Sequence, residues 1–222
     1  MRLVIAAATP QELATLTADN GMPSVKQFPG AEVDVLVTGV GMLAATASLM
    51  RSICMNRPDF VLQAGIAGAF DRNLETGSVV AIASEQLADM GAREQGQWKD
   101  LFDLGLEKPS QVPFTQGRLP GWPLLPELMA LPRLVDAVTV NEITTQQGRI
   151  QEILTKYQPS VESMEGAALH YVCTMQSVPF LQIRAISNYV GERDKSKWKI
   201  REAIENLGQV SFQLIEKIYT LK

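Results

Sequence analysis

Short apolar runs that alternate with helical segments are the feature that most constrains the fold of this chain. The first run, Leu3 to Ala8, is uninterrupted and ends at Thr9-Pro10, which is typical of a strand buried on both faces that leads into a helix. Further strands are predicted at Glu32 to Thr38, Asp59 to Ala64, Ser78 to Ser84, Leu134 to Val140 and Pro179 to Ser187. Helices are predicted at 42–55, 147–157, 164–173 and 196–221. This alternation predicts a single three-layer α/β/α domain over residues 1–222, built around a mixed sheet that is mostly parallel.

The middle of the chain departs from this alternation. Six of the 12 prolines fall between Pro109 and Pro132, with aromatic residues interspersed. We interpret residues 92–132 as an irregular, proline-rich excursion, either a lid or an interface segment, because the stretch is too short and irregular for a second domain.

Composition excludes several classes of protein. The net charge is -4 and no run of Lys or Arg exceeds two residues, so neither a nucleic acid nor a membrane surface is an expected partner. Cys54 and Cys173 lack the spacing of a disulfide scaffold or a zinc site, and we interpret them as buried free thiols of a cytoplasmic protein. His170 is the only histidine, which limits metal sites and Ser-His-Asp triads, and a structural role is expected for it.

Several polar or glycine residues follow predicted strand ends. They are Glu12, Gly39, Gly65, Glu165 and Asn188. Because ligands bind at the carboxyl ends of strands in such sheets, one cleft is predicted to gather them.

The stretch VESMEGAALHYVC places a carboxylate at the start of a helix. Ser163 is predicted to cap this helix, with Met164, Glu165 and Gly166 in its first turn. A carboxylate fixed there suits a pair of neighbouring hydroxyls. The alternative is that Glu165 only interacts with the helix dipole.

The two glycine-rich turns do not predict a nucleotide cofactor. Gly39-Val40-Gly41 fits only the permissive form of a dinucleotide fingerprint, and residues 65 to 68 lack the Lys-Ser/Thr ending of a P-loop.

Five pieces of the chain together resemble the purine nucleoside phosphorylase and nucleosidase superfamily, and within it the methylthioadenosine/S-adenosylhomocysteine nucleosidases. In order they are MRLVIAAATPQEL, VTGVGMLAA, QAGIAGAF followed by LETGSVV, VESMEGAALHYVC and FLQIRAISN. They span most of the chain, and only the proline-rich middle does not match. The resemblance implies a nucleoside phosphorylase-like fold, a small-molecule nucleoside substrate, a homodimer or higher homo-oligomer, and no metal or organic cofactor.

The same resemblance implies roles for individual residues. Glu12 is the expected general base that activates water, Glu165 the acceptor of the ribose hydroxyls, and Met164 the apolar floor beneath the sugar. Backbone that approaches the sugar closely is expected at Gly65, Ala67 and Gly68. Alternatives remain, in which Glu12 is an ordinary first-turn carboxylate and Arg184 is a structural cation that answers Glu162 or Glu165.

Asn188 departs from the pattern of adenine-releasing relatives, which have an aspartate there. Asparagine accepts from a protonated ring nitrogen and donates to a 6-oxo group, so Ser187 and Asn188 are expected to bind a 6-oxopurine. The segment RAISNYVGERDKSKWKI further resembles the futalosine hydrolases, which release hypoxanthine from futalosine in an alternative route of menaquinone biosynthesis.

Hydrolysis of futalosine is therefore the predicted activity. The benzoate-bearing end of this substrate calls for an outer pocket, for which Arg193, Lys195 and Trp198 are candidates, unless they form only a solvated loop. The residue that stacks on the purine is expected within 140–145, but this segment lacks the usual aromatic side chain. Alternatives are a methylthioadenosine/S-adenosylhomocysteine nucleosidase, a phosphate-dependent phosphorylase acting on inosine, and a non-catalytic nucleoside-binding protein, against which Glu12 argues.

Overall fold

The structure, a computed structural model, describes residues 1–17, 32–123 and 132–220. The strands are β1 (Arg2–Ala7), β2 (Glu32–Val37), β3 (Phe60–Ala69), β4 (Val79–Leu87), β5 (Gly91–Glu94), β6 (Gln97–Asp100), β7 (Leu119–Pro120), β8 (Arg133–Thr139), β9 (Val161–Ser163) and β10 (Phe180–Tyr189). The helices are α1 (Ala14–Thr17), α2 (Met42–Met55), α3 (Gln147–Tyr157), α4 (Gly166–Met175) and α5 (Ile200–Thr220), and 3-10 turns span Pro10–Leu13 and Lys195–Lys197.

One half of the main sheet has the predicted layers. There β2, β1, β3 and β10 run parallel. On one face, α2 and α4 pack Leu49 and Leu169 onto Val4 of β1. On the other face, α1 and α5 pack Leu16 and Leu207 onto alternate residues of the same strands. The mixed, mostly parallel α/β sheet is thereby confirmed.

The other half of the sheet closes into a barrel, which the three-layer prediction did not include. β10 pairs with β4, followed in order by β8, β9 and again β3, so five strands form a closed ring. The closure depends on two antiparallel pairings, β10 with β4 and β3 with β9. Apolar runs carry no information about which strands pair, and this explains the omission.

The second glycine-rich stretch is part of a strand rather than a turn. β3 was expected to end at Ala64 but continues to Ala69. Gly65 has extended backbone, and a Cβ atom there would lie 2.3 Å from Arg184 Nη1. The glycine therefore serves a close approach and not a chain reversal. Gly39 and Gly41, by contrast, have positive φ angles of 85° and 90° in a turn, as predicted.

The helix after β9 begins later than predicted. Its first residue is Gly166, and Glu165 is its N-cap residue, so Met164 and Glu165 lie between strand and helix. Ser163 Oγ still accepts a hydrogen bond from Gly166 N, at 3.3 Å.

Three further expectations can be compared with the structure. Both cysteines are free, but Cys54 is exposed, since α2 buries Leu49 and Ile53 and Cys54 falls off that face. The excursion predicted at 92–132 contains part of a β5–β6 hairpin, and its residues 124–131 lie outside the described ranges. Within those ranges, no helix combines the length and apolar character needed to cross a membrane.

Candidate active site

A cavity of about 290 Å³ opens where β1, β3, β9 and β10 end. Most of the residues predicted from the sequence as site residues line it. They are Glu12, Ala67, Gly68, Met164, Glu165, Ser187, Asn188, Arg193 and Trp198. Gly65 lies behind this wall, where its missing side chain leaves room for Arg184 and for Glu12 Oε1, which would be 3.1 Å from a Cβ atom.

Glu12 is the third residue of the first 3-10 turn, and three hydrogen bonds hold its side chain. Its Oε2 atom accepts hydrogen bonds from Thr9 N at 2.9 Å and from Thr9 Oγ1 at 3.0 Å. Its Oε1 atom accepts one from Ile66 N on β3, at 3.0 Å. With three donors and only 6% exposure, the carboxylate has a fixed orientation towards the cavity.

Glu165 is bound by two distant parts of the chain. Gly41 N donates to Glu165 Oε1 at 2.9 Å, and Arg184 Nη1 lies 3.4 Å from Glu165 Oε2. Arg184 is buried and also donates to Gln63 Oε1, at 3.1 Å. Arg184 therefore forms an ion pair with Glu165 from behind the cavity wall, which is the contact that one of the alternatives from the sequence proposed.

The end of β10 carries hydrogen-bonding groups into the cavity. Ser187 Oγ lies 2.8 Å from Asn188 Oδ1 and 3.2 Å from Ala67 O, and it can donate to either. Asn188 Nδ2 donates to Tyr189 O at 2.9 Å. Asn188 thus keeps one lone pair on Oδ1 and one hydrogen on Nδ2 for a ligand.

The loop after β8 supplies wall residues that the sequence reasoning did not place. Ile143 and Thr144 line the cavity, and Thr144 N donates to Glu162 Oε1 at 3.0 Å. Burial raises the pKa of Glu162, while hydrogen bonds from Thr144 oppose the shift. Asp89 holds the other end of the loop by accepting a hydrogen bond from Glu142 N, at 3.1 Å. Ile143 is the apolar side chain of this loop that reaches the cavity, and it stands where an aromatic residue was expected.

The outer part of the cavity contains Arg193 and Trp198. The Arg193 guanidinium lies 5.6 Å from the centroid of the Trp198 ring, and Trp198 Nε1 donates to Glu192 O at 3.1 Å. Lys195, the third candidate, lies in the second 3-10 turn and does not line the cavity.

The charged side chains in the wall of the cavity are mostly acidic. Among its described residues, Glu12, Glu162, Glu165 and Glu192 are carboxylates, and Arg193 is the one cationic side chain. Carboxylates at the wall favour positive charge that develops on a bound ligand. The Glu12 carboxylate has a fixed orientation and lies at the same cavity as the Ala67-Gly68 backbone, an arrangement suited to activating water.

The chain matches one protein family and is similar to several known proteins. The family model described as the phosphorylase superfamily matches residues 2–219. Futalosine hydrolase of Streptomyces coelicolor is 32% identical over 184 residues, which cover 78% of this chain and 74% of the relative. A methylthioadenosine/S-adenosylhomocysteine nucleosidase of Desulfotalea psychrophila is 25% identical over 206 residues, covering 86% and 83%.

Among solved structures, a futalosine hydrolase of Helicobacter pylori superimposes with a TM-score of 0.81 at 15% identity, covering 98% of both chains, which shows a shared fold. The family match over nearly the whole length establishes that the chain is a member of the phosphorylase superfamily.

Proposed function

We propose that the protein hydrolyses the N-glycosidic bond of futalosine and releases hypoxanthine and dehypoxanthine futalosine, a step of the futalosine route to menaquinone. The similarity to futalosine hydrolases supports this reaction. The observation that carries the choice of water as nucleophile is the Glu12 carboxylate, which three donors hold in place at the cavity.

Glu12 orients a water molecule at the anomeric carbon and takes its proton as the glycosidic bond breaks. The transition state resembles an oxocarbenium ion, so Glu12 and Glu165 also stabilise the positive charge that develops on the sugar. Glu165 accepts hydrogen bonds from the two ribose hydroxyls, and Met164 packs beneath the ring. The Ala67-Gly68 backbone borders the sugar, while Gly65 contributes by admitting Arg184 behind Glu165.

Asn188 determines which base leaves. Hypoxanthine leaves with the electron pair of the C1′–N9 bond and takes up a proton from solvent at N7, because asparagine has no proton to transfer. The free lone pair of Asn188 then accepts a hydrogen bond from N7–H, and its free amide hydrogen is donated to O6, so hypoxanthine satisfies both groups. Adenine presents an amino donor at the second position and leaves the Asn188 amide without an acceptor. Ser187 keeps Asn188 in place, and Ile143 provides the apolar surface against the base in place of an aromatic ring.

The outer pocket receives the benzoate-bearing end of the substrate. Arg193 pairs with the carboxylate, and Trp198 offers an aromatic surface to the ring. The opposing interpretation, a solvated charged loop, predicts that neither residue affects the KM for futalosine.

Release of hypoxanthine from futalosine in phosphate-free buffer, followed by chromatography, tests the proposal. We expect turnover without phosphate, and a loss of about 10²–10⁴-fold in kcat for Glu12→Gln. Absence of hypoxanthine would contradict the substrate, and strict dependence on phosphate would identify a phosphorylase instead. Faster release of adenine from methylthioadenosine than of hypoxanthine from futalosine would favour a methylthioadenosine/S-adenosylhomocysteine nucleosidase, the alternative against which Asn188 argues.

Self-association is a second proposal, made because apolar side chains beside the cavity are exposed. Val37, Val40 and Leu43 are 46%, 58% and 86% exposed, and Val40 also lines the cavity. Light scattering should give at least twice the mass of one chain, and the mass of a single chain would contradict the proposal. The cytoplasmic location inferred from the cysteines stays a prediction.

A further inference from the structure

Glu85 is a buried carboxyl that has no part in the chemistry proposed above. It lies on β4 and is 0% exposed. Its Oε1 atom accepts a hydrogen bond from Gln182 Nε2 at 2.9 Å, and its Oε2 atom accepts one from Thr139 Oγ1 at 2.9 Å. Because Glu85 does not line the cavity, it can influence a ligand only through other residues.

Thr139 connects Glu85 to the start of α4. Since the Thr139 hydroxyl donates its hydrogen to Glu85, its oxygen can accept the hydrogen bond from Ala167 N, at 2.8 Å. This N–H belongs to the first turn of α4, whose amides have no partner within the helix. Glu85 therefore fixes the orientation of the hydroxyl that binds the helix start.

Gly166 brings the backbone of α4 directly onto Glu85. A Cβ atom at Gly166 would lie 1.8 Å from Glu85 Oε1 and 2.4 Å from Gln182 Nε2. The residue immediately before it is Glu165, the N-cap of α4. A shift of the Glu85 carboxyl would therefore be transmitted through a single peptide unit to Glu165.

The two carboxyls are also linked electrostatically. Burial raises the pKa of Glu85 to about 7, whereas the Gln182 hydrogen bond, the charge of Arg184 and the Thr139 hydrogen bond each lower it, and the charge of Glu165 raises it. His170 on α4 adds no positive charge at neutral pH, because burial lowers its pKa to about 4.

We propose that Glu85 is a positioning residue, which holds Glu165 in place for the sugar by fixing the start of α4 through Thr139 and Gln182. The inference rests on the proposed function, in which Glu165 binds the ribose hydroxyls. Loss of Glu85 should impair recognition of these hydroxyls more than it impairs binding of the base.

Comparison of inosine with 2′-deoxyinosine separates this role from a general contribution to folding, because only inosine has the 2′-hydroxyl. Dissociation constants are measured by calorimetry in the Glu12→Gln background, where turnover is slowed enough for binding to be followed. We expect Glu85→Ala to weaken inosine binding about tenfold or more and 2′-deoxyinosine binding less than about threefold. Glu85→Gln should restore inosine binding to within about threefold, since Gln182 can turn its amide oxygen towards the new amide.

Two further variants keep the test decisive. Thr139→Val removes the connecting hydroxyl and should also weaken inosine binding more than 2′-deoxyinosine binding. This variant tests the proposal even if Glu85→Ala does not fold. Gln86→Met is the matched control, because it removes another buried hydrogen bond of β4, from Gln86 Nε2 to Tyr157 O at 3.0 Å, and should leave both constants unchanged. Equal weakening of both ligands, or of neither, overturns the proposal. The proposed function fails independently, when the wild-type protein releases no hypoxanthine from futalosine.

Discussion

Asn188 is the single residue whose replacement tests the base assignment most directly. An aspartate there can carry a proton for N7 and accept a hydrogen bond from an amino group at C6. Asn188→Asp should therefore shift the ratio of kcat/KM for futalosine and its 6-amino counterpart towards the amino compound by about 10–200-fold.

The matched control for this prediction is Asn188→Ala, which removes both hydrogen bonds and should weaken both substrates without reversing the preference. An unchanged ratio in Asn188→Asp would mean that the base is selected elsewhere in the cavity.

Some residues of the cavity can be predicted from the sequence, and others can be found only from contacts in the folded structure. Glu12, Glu165 and Asn188 were predicted because their side chains follow strand ends, and the structure brings them to one cavity. The contribution of Gly41 was not foreseen, since its backbone N–H meets a carboxylate 124 positions away. Contacts of this kind depend on tertiary packing and have no local signature.

The glycines of the helices differ in how much space surrounds them for an added side chain. Gly208 of α5 is buried, and a Cβ atom there would lie 2.0 Å from Thr15 Oγ1 of α1. Gly208→Ala should lower the free energy of unfolding by about 1–3 kcal/mol, because α1 and α5 must separate. Urea denaturation followed by circular dichroism measures this loss.

Gly148 of α3 provides the matched control for that substitution. It is also a helical glycine, but nothing lies within 4 Å of an added Cβ atom. Gly148→Ala should therefore raise the free energy of unfolding by about 0.4–1 kcal/mol. A gain in stability for Gly208→Ala would show that α1 can move away from α5 at little cost.

Helices and strands were not equally predictable. α2 and α3 begin and end where the sequence indicated, because their apolar periodicity is local. The predicted β3 ended before Gly65, since glycine often ends a strand, whereas the strand continues to Ala69 because it pairs with β10 and β9. Closure of the barrel likewise depends on pairings between strands far apart in the chain.

For the molecule as a whole, the buried His170 makes stability depend on pH. Its Nδ1 atom lies 3.1 Å from Leu119 O and donates to it, and burial lowers the pKa of His170 from 6.5 to about 4. The folded state therefore favours the neutral ring. Between pH 6.5 and pH 4 the unfolded chain takes up a proton that the folded protein does not, which costs about 3 kcal/mol of stability.

Urea denaturation at pH 7 and pH 4.5 measures this dependence, with His170→Asn as the comparison because its amide can still donate to the same carbonyl. The loss of stability on acidification should be smaller in the variant, and an equal loss in both proteins would contradict the prediction. The same curves test our proposal that residues 1–222 form one domain, which requires a single transition.

Gly166 limits how such a site can diverge in descent. Any side chain at this position would displace Glu85, so the residue next to Glu165 is closed to substitution. In the proposed function the base is met by Asn188 at the end of β10 and by Ile143 in the loop after β8, and both side chains can change while the backbone around Gly166 stays as it is. New substrates should therefore arise in this fold by changing the base and the outer group while the sugar stays the same.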